Sequence, residues 1–240
     1  LLECRRVLRT GGALRLRFPA GPKGEWRRLL RLVGLEENAA SPAAHEGCST
    51  LDARKRDRAS ADAPLVSILV PAFNPRYCAA ALDSALAQTW RNLEIVVGDD
   101  SPGPEIEAIA RSRAGAIPIR YERNPVRLRT RGNCVRCFER ADGEFVKFLN
   151  DDDLLAPACV ETLLDAFRAS PEVTLATSCR ALVDENGTVL PDTPSTMPIL
   201  GETRLVAGHS LANTMIGAGL NVVGEPSTAL FRKTDLADQA

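Results

Sequence analysis

The stretch FVKFLNDDDLLAP, Phe145 to Pro157, sets three carboxylates side by side where an apolar run stops. Asp151, Asp152 and Asp153 repel one another. Two unit charges about 4 Å apart cost roughly 1 kcal/mol in water and about 4 at an effective dielectric near 20. Holding them together calls for solvent or a bound cation. A second acidic pair, Asp99 and Asp100, follows another apolar run, NLEIVVG. Each cluster has a structural explanation when taken alone. Acids near a helix N-terminus gain ~0.3–1 kcal/mol from the dipole, and Pro157 suits a first helical position; DDSPG is an ordinary turn sequence. The helix-start reading accounts for one acid better than for three, and the pairing of the two clusters is what points to chemistry. Carboxylates converging on one edge make a poor bare anion site and a good site for a hard cation with oxygen ligands. A cation held there can neutralise charge growing on a leaving diphosphate.

For the clusters to converge, the chain between them must bring strand ends together. VSILVPAF reads as a buried strand, Cys78, Ala81, Leu82, Ala85 and Leu86 as one face of a helix, and NLEIVVG as a second strand. Glu105 to Arg113 reads as a helix, IPIRYE as a strand, Asn133 to Arg140 as a helix and EFVKFL as a strand. Strands separated by helices predict an α/β fold with a mostly parallel sheet covered on both faces. Ligands in such sheets bind beyond the carboxyl ends of the strands, and that is where Asn74, Asp99, Asp100 and Asn150 to Asp153 fall. No G-x-G-x-x-G follows Val70 and no G-x-x-x-x-G-K-[ST] occurs, so a glycine-rich phosphate cradle is not the mode of binding. In NPVRLRTRGN, Arg127, Arg129 and Arg131 have the chemistry to meet diphosphate oxygens bidentately, or equally to be a solvated loop.

The 240 residues are 45% hydrophobic and 25% charged, enough for one full domain plus part of another. A formal net charge of -1 provides no global field toward nucleic acid or an anionic membrane. Seven cysteines, scattered apart from Cys134 and Cys137, argue for a reducing compartment and a cytoplasmic location. The C-x-x-C itself falls in a helical pattern with Phe138 and Ala141 and reads as core packing. His45 and His209 lack zinc-ligand spacing. No apolar segment approaches the ~20 residues of a membrane span, and the first residues lack signal-peptide order. Residues 1–50 form a small piece with a helix end, a Gly11-Gly12 stop and a strand from Ala13 to Phe18. Residues 51–64 read as a solvated linker, the weaker alternative being a nucleic-acid patch at Arg54, Lys55, Arg56 and Arg58, and residues 65–240 as the main domain. A start at Leu1 and an end at DLADQA lead to the expectation of a fragment.

The order and spacing of VSILVPAFN, LAQTWRNLEIVVGDDSPG, ADGEFVKFLNDDDLLAP and GEPSTALFRK closely resemble the family-2 glycosyltransferases of the GT-A fold, from about Val66 to Lys233. The resemblance implies metal-dependent transfer of a sugar from a nucleotide-diphosphate sugar, UDP-linked, to an acceptor hydroxyl with inversion, using Mn²⁺ or Mg²⁺. The acceptor, a glycan, a lipid-linked group or a protein, is not specified. The implied nucleotide pocket comprises Pro71, Ala72, Phe73, Asn74, Asp99, Asp100, Arg131, Asp151 and Asp152, with the Phe73 ring on the base and Asp100 accepting a hydrogen bond from it. Asp152 meets the ribose or metal, and Asp153 is the principal metal ligand. Asn150 stands where many members carry Asp, so the ligand set lies between Asp152 and Asp153. The family's general base is expected past Ala240. A nucleotidyltransferase, or a nucleotide-sugar-binding module without turnover, remains as an alternative. ECRRVLRTGGALRL resembles the C-terminal end of a class I S-adenosylmethionine-dependent methyltransferase, without the cofactor-binding glycines.

Overall fold

A computed structural model describes residues 13–17, 63–193, 196, 203–219, 221 and 223–237. Its strands are β1 (Ala13–Arg17), β2 (Val66–Ala72), β3 (Leu93–Asp99), β4 (Ile119–Arg123), β5 (Phe145–Phe148), β6 (Val173–Ser178), β7 (Arg204–Ala207) and β8 (Ala229–Arg232). Its helices are α1 (Pro75–Leu86), α2 (Glu105–Arg111), α3 (Arg129–Arg140), α4 (Cys159–Ala169), α5 (Gly208–Ala218) and α6 (Thr234–Ala237). All the strands join one sheet in the order β4-β3-β2-β5-β8-β6-β1-β7. β1 to β6 run in one direction, with β7 and β8 opposed to them. This is the mostly parallel α/β architecture that the alternating sequence pattern predicts.

Central strands explain themselves by composition. VSILVPA and LEIVVGD are rich in β-branched residues and buried along nearly their whole length, as strands covered on both faces must be. On one face Ile68, Val70, Ile95 and Val97 pack with Leu82 and Ala85 of α1 and Leu163 and Leu164 of α4. On the other, Leu69, Val96 and Val146 pack with Cys137 of α3 and Phe231. Cys137 is thus a core residue, as its helical spacing suggests, and burial pushes its thiol up to about 12. α1 begins where Pro75 follows Asn74, whose side chain accepts the N–H of Arg76 as an N-cap.

Two helices start elsewhere than the sequence pattern indicates, and both differences bear on the acids. α3 begins at Arg129 rather than Asn133 because the Asp100 carboxylate receives the N–H groups of Leu128 and Arg129. α4 begins at Cys159 rather than Pro157: the Pro157 carbonyl accepts from the N–H of Thr89, and Ala158 is the capping residue. Leu154 to Ala158 therefore separate Asp153 from the helix, and the acid triplet does not act as its cap.

The strand expected over Ala13 to Phe18 runs over Ala13–Arg17 and extends the sheet, parallel to β6 and antiparallel to β7. The remainder of residues 1–50, where a methyltransferase resemblance is the expectation from sequence, the basic run Arg54 to Arg58 and most of residues 51–64 lie outside the described residues. At the domain's entry the Pro64 carbonyl accepts from Trp90 Nε1 at 3.2 Å and the Ala63 carbonyl from Asn92 Nδ2 at 2.7 Å. No helix among the described residues is long and apolar enough to cross a membrane.

Candidate functional site

Because β2, β3, β4 and β5 are parallel, their carboxyl ends open on one edge of the sheet. A buried amide fastens that edge. Asn133 Nδ2, reaching up from α3, donates to the carbonyls of Gly98 at 2.8 Å and Ala72 at 3.3 Å, closing the ends of β3 and β2 together. Its Oδ1 accepts from Asn124 Nδ2 at 2.9 Å, which also donates to Asp100 Oδ1 at 3.1 Å. The approach needs a glycine at position 98: a Cβ there would lie 2.5 Å from Asn133 Oδ1 and 2.6 Å from Cys137 Sγ.

The two acids after β3 have different tasks. Asp99 is fully buried. Its oxygens accept the N–H of Ser101 at 2.8 Å and the hydroxyl of Tyr121 at 2.6 Å. Burial, and then the Asp99 carboxylate, push the Tyr121 phenol far above its usual range, so it remains a donor. Asp100 accepts the N–H of Leu128 at 2.8 Å and of Arg129 at 2.7 Å, bending the chain through a left-handed φ of 61° at Arg129. A negative charge at the start of α3 also opposes the helix dipole favourably. Between these elements opens a cavity of about 510 Å³, lined by Phe73, Asp100, Ser101, Arg123, Asn124 and Arg127 among others. The Phe73 ring is 43% exposed, so it is not a core residue, and the Arg127 guanidinium lies over it 4.3 Å from the centroid. An aromatic face and two cations beside an apolar-walled cleft suit a planar, anionic ligand.

The acid triplet adjoins this cavity through Asp151, whose Oδ2 accepts the backbone N–H groups of Phe73 and Asn74, each at 2.6 Å. Asp153 Oδ2 accepts from Ser227 Oγ at 2.5 Å and from Asn150 Nδ2 at 3.0 Å. Asp152 is the exposed member. Partial burial, then the charges of Asp153 and Asp151, push its carboxyl above the ordinary range. That repulsion is what a cation would relieve. Among the described residues no three His, Cys, Asp or Glu side chains form a ready metal cage. Asp152 and Asp153 are the carboxylates here that could hold a hard divalent cation, which takes oxygen donors.

Of the other predicted residues, Pro71 is half-buried and Ala72 buried on β2, opposite Gly98 and Asp99. Asn74 serves as a helix cap, and Arg131 is exposed on α3 and is not among the residues lining the cavity. Arg129 contributes its backbone N–H. The pattern reading missed Asn124, Asn133, Tyr121, Ser227 and Lys147. Ser227 lies within GEPSTALFRK, and Lys147 interrupts the apolar run FVKFL, which was the available signal.

Residues 67–233 match the family model described as Glycosyl transferase family 2. The chain is 33% identical over 144 residues to an uncharacterized glycosyltransferase of Rickettsia bellii (strain RML369-C), covering 57% of this chain and 20% of that protein. It is 32% identical over 104 residues to the GalNAc(5)-diNAcBac-PP-undecaprenol beta-1,3-glucosyltransferase of Campylobacter jejuni, covering 42% of this chain and 34% of that one. The chain thus spans only about a fifth and about a third of the length of these two relatives. Its fold is similar to that of S. aureus TarS 1-349 in complex with UDP-GlcNAc, with a TM-score of 0.51 and 19% identity over 72% of this chain and 46% of that chain. With the family match running from β2 through β8 and the acid-bearing strand ends inside it, the chain belongs to Glycosyl transferase family 2.

Proposed function

We propose that this domain binds a UDP-linked sugar and transfers the sugar, with inversion, to an acceptor hydroxyl, assisted by Mn²⁺ or Mg²⁺. One observation carries the reading: the Phe73-lined cavity is joined to the acid triplet by the hydrogen bonds of Asp151 to Phe73 and Asn74. In this reading the base enters the cavity against Phe73, and Asp100, whose Oδ2 has one lone pair left beside the Arg129 N–H, meets its edge. Arg127 and Arg123 face the anionic part of the ligand. Asp152 and Asp153 hold the cation, which supplies charge neutralisation to the departing diphosphate. Inversion further requires a carboxylate within hydrogen-bond reach of the acceptor hydroxyl and separate from the acids on the cation. The UDP-GlcNAc complex of the similarly folded TarS supports the choice of nucleotide.

A thermal-shift series with UDP, GDP, CDP and dTDP, each with and without Mn²⁺, tests this, because a ligand that binds the native state raises apparent stability by mass action. The expected result is stabilisation by UDP above the other three, and larger with Mn²⁺. No shift with any nucleotide, or a preference for GDP, would contradict it.

A further inference from the structure

Lys147 is wholly buried, at 0% exposure, in the middle of the sheet. Side chains alternate along β5: Val146 joins the smaller core cluster, while Phe145 and Leu149 join the larger one on the face Lys147 shares. A leucine or methionine would fill that place with no polar group to desolvate, so the amine calls for a role. Its Nζ donates to the carbonyl of Ser227 at 2.8 Å, with Cys159 as a second partner. Ser227 sits in the short turn Pro226–Thr228 that leads into β8. Its hydroxyl donates to Asp153 Oδ2 at 2.5 Å and accepts the N–H of Asn150 at 3.0 Å. One buried side chain therefore holds the residue that holds both ends of the segment from Asn150 to Asp153. Asp153 Oδ2 is occupied by Ser227 and Asn150, and among the described residues nothing donates to its Oδ1.

We infer that Lys147 is a positioning residue which, by anchoring Ser227, orients Asp153 so that Oδ1 is presented to the cation and diphosphate. This inference rests on the proposed function. The competing role is purely structural, with Lys147 pinning the turn before β8 and nothing more. Partners that orient a metal ligand typically change metal affinity by about 10- to 100-fold when removed, whereas a pin would affect all binding alike.

Lys147→Met keeps the volume and removes the amine. By NMR, amide exchange at Asn150 to Asp153 should accelerate about tenfold or more relative to the amides of β2 and β3. By calorimetry, UDP affinity in the presence of Mn²⁺ should fall about 10- to 100-fold, with UDP affinity in EDTA unchanged. Ser227→Ala, at a half-buried position and serving also if Lys147→Met does not fold, should reproduce both effects, and Ser227→Thr, which retains the hydroxyl, should restore wild-type behaviour. Unchanged exchange at Asn150 to Asp153, or equal losses of affinity with and without Mn²⁺, would overturn the inference while leaving the nucleotide reading in place. Wild-type protein that binds no UDP with Mn²⁺ would instead overturn the proposed function, and the cation-presenting role with it.

Discussion

Asp151 Oδ2 accepts the backbone N–H of Phe73 at 2.6 Å, across 78 positions of sequence. With the second bond from Asn74, one carboxylate locks the loop after β2 to the loop after β5. The ring that lines the cavity and the acids beside it are thereby held as a unit. Asp151→Ala should lower UDP affinity about tenfold by freeing Phe73, and Asp151→Asn, which keeps an acceptor, should lose less. Hydrogen bonds to charged groups contribute about 1.5–3 kcal/mol, but these are exposed, so the stability cost in urea should be about 1 kcal/mol. A stability loss with affinity unchanged in calorimetry would show that the clamp serves the fold alone.

Phe73 offers the complementary case. Its ring is 43% exposed and covered by Arg127 rather than by the core. Base stacking on an aromatic side chain is worth about 1–3 kcal/mol in single-strand binding proteins. Phe73→Ala should therefore weaken UDP by about tenfold or more while leaving the melting temperature nearly unchanged. The reverse pattern would place the ring in the packing.

Glu94 provides a pH-dependent test of the fold. Burial alone would push its carboxyl up, but hydrogen bonds from Ser67 Oγ, the Asp142 N–H and Arg120 outweigh that and hold it below the ordinary range. A depressed carboxyl contributes stability that is present above its unfolded value, near 4.3, and is lost as pH falls through the folded one. Glu94→Gln should cost about 1–3 kcal/mol at neutral pH in urea titrations, and the gap from wild type should close as the pH drops below about 4. A constant gap at all pH values would contradict the assignment.

Gly98 tests the fastening of the strand ends. A methyl group there would strike Asn133 Oδ1 and Cys137 Sγ, neither of which has room to withdraw from a buried site. Gly98→Ala should cost about 1–3 kcal/mol, as overpacking typically does. It should also weaken nucleotide binding, because Asn133 would release Ala72 next to Phe73. Wild-type stability in urea would show that α3 can shift.

Much of this site was legible in sequence because it follows from periodicity. Apolar runs such as ILV and IVV predict parallel strands, and the polar residues that end them land on one edge. What the sequence pattern did not show is how each acid is used. Asp99 and Asp151 are of the same residue type as Asp153, yet one is enclosed by Ser101 and Tyr121, the second grips backbone N–H groups, and the third is held by Ser227. Those partners lie between 2 and 78 positions away, and no local period encodes such contacts. Lys147 stands out as a charge inside an apolar run, but that pattern does not distinguish a solvent-facing side chain from one buried against a carbonyl of the turn before β8.

The proposal that Asp152 and Asp153 share a divalent cation with a diphosphate is tested most directly by calorimetric titration of UDP into wild type and Asp153→Asn, each with Mn²⁺ and with EDTA. Wild type should bind UDP at least tenfold more tightly with Mn²⁺ than without. The cation-dependent gain should also diminish as pH falls through the raised range of Asp152, whose protonation removes a ligand. Asp153→Asn should lose the Mn²⁺ gain and keep the EDTA affinity and the fold. Affinity for UDP that is identical in the two proteins with Mn²⁺ present would contradict the account.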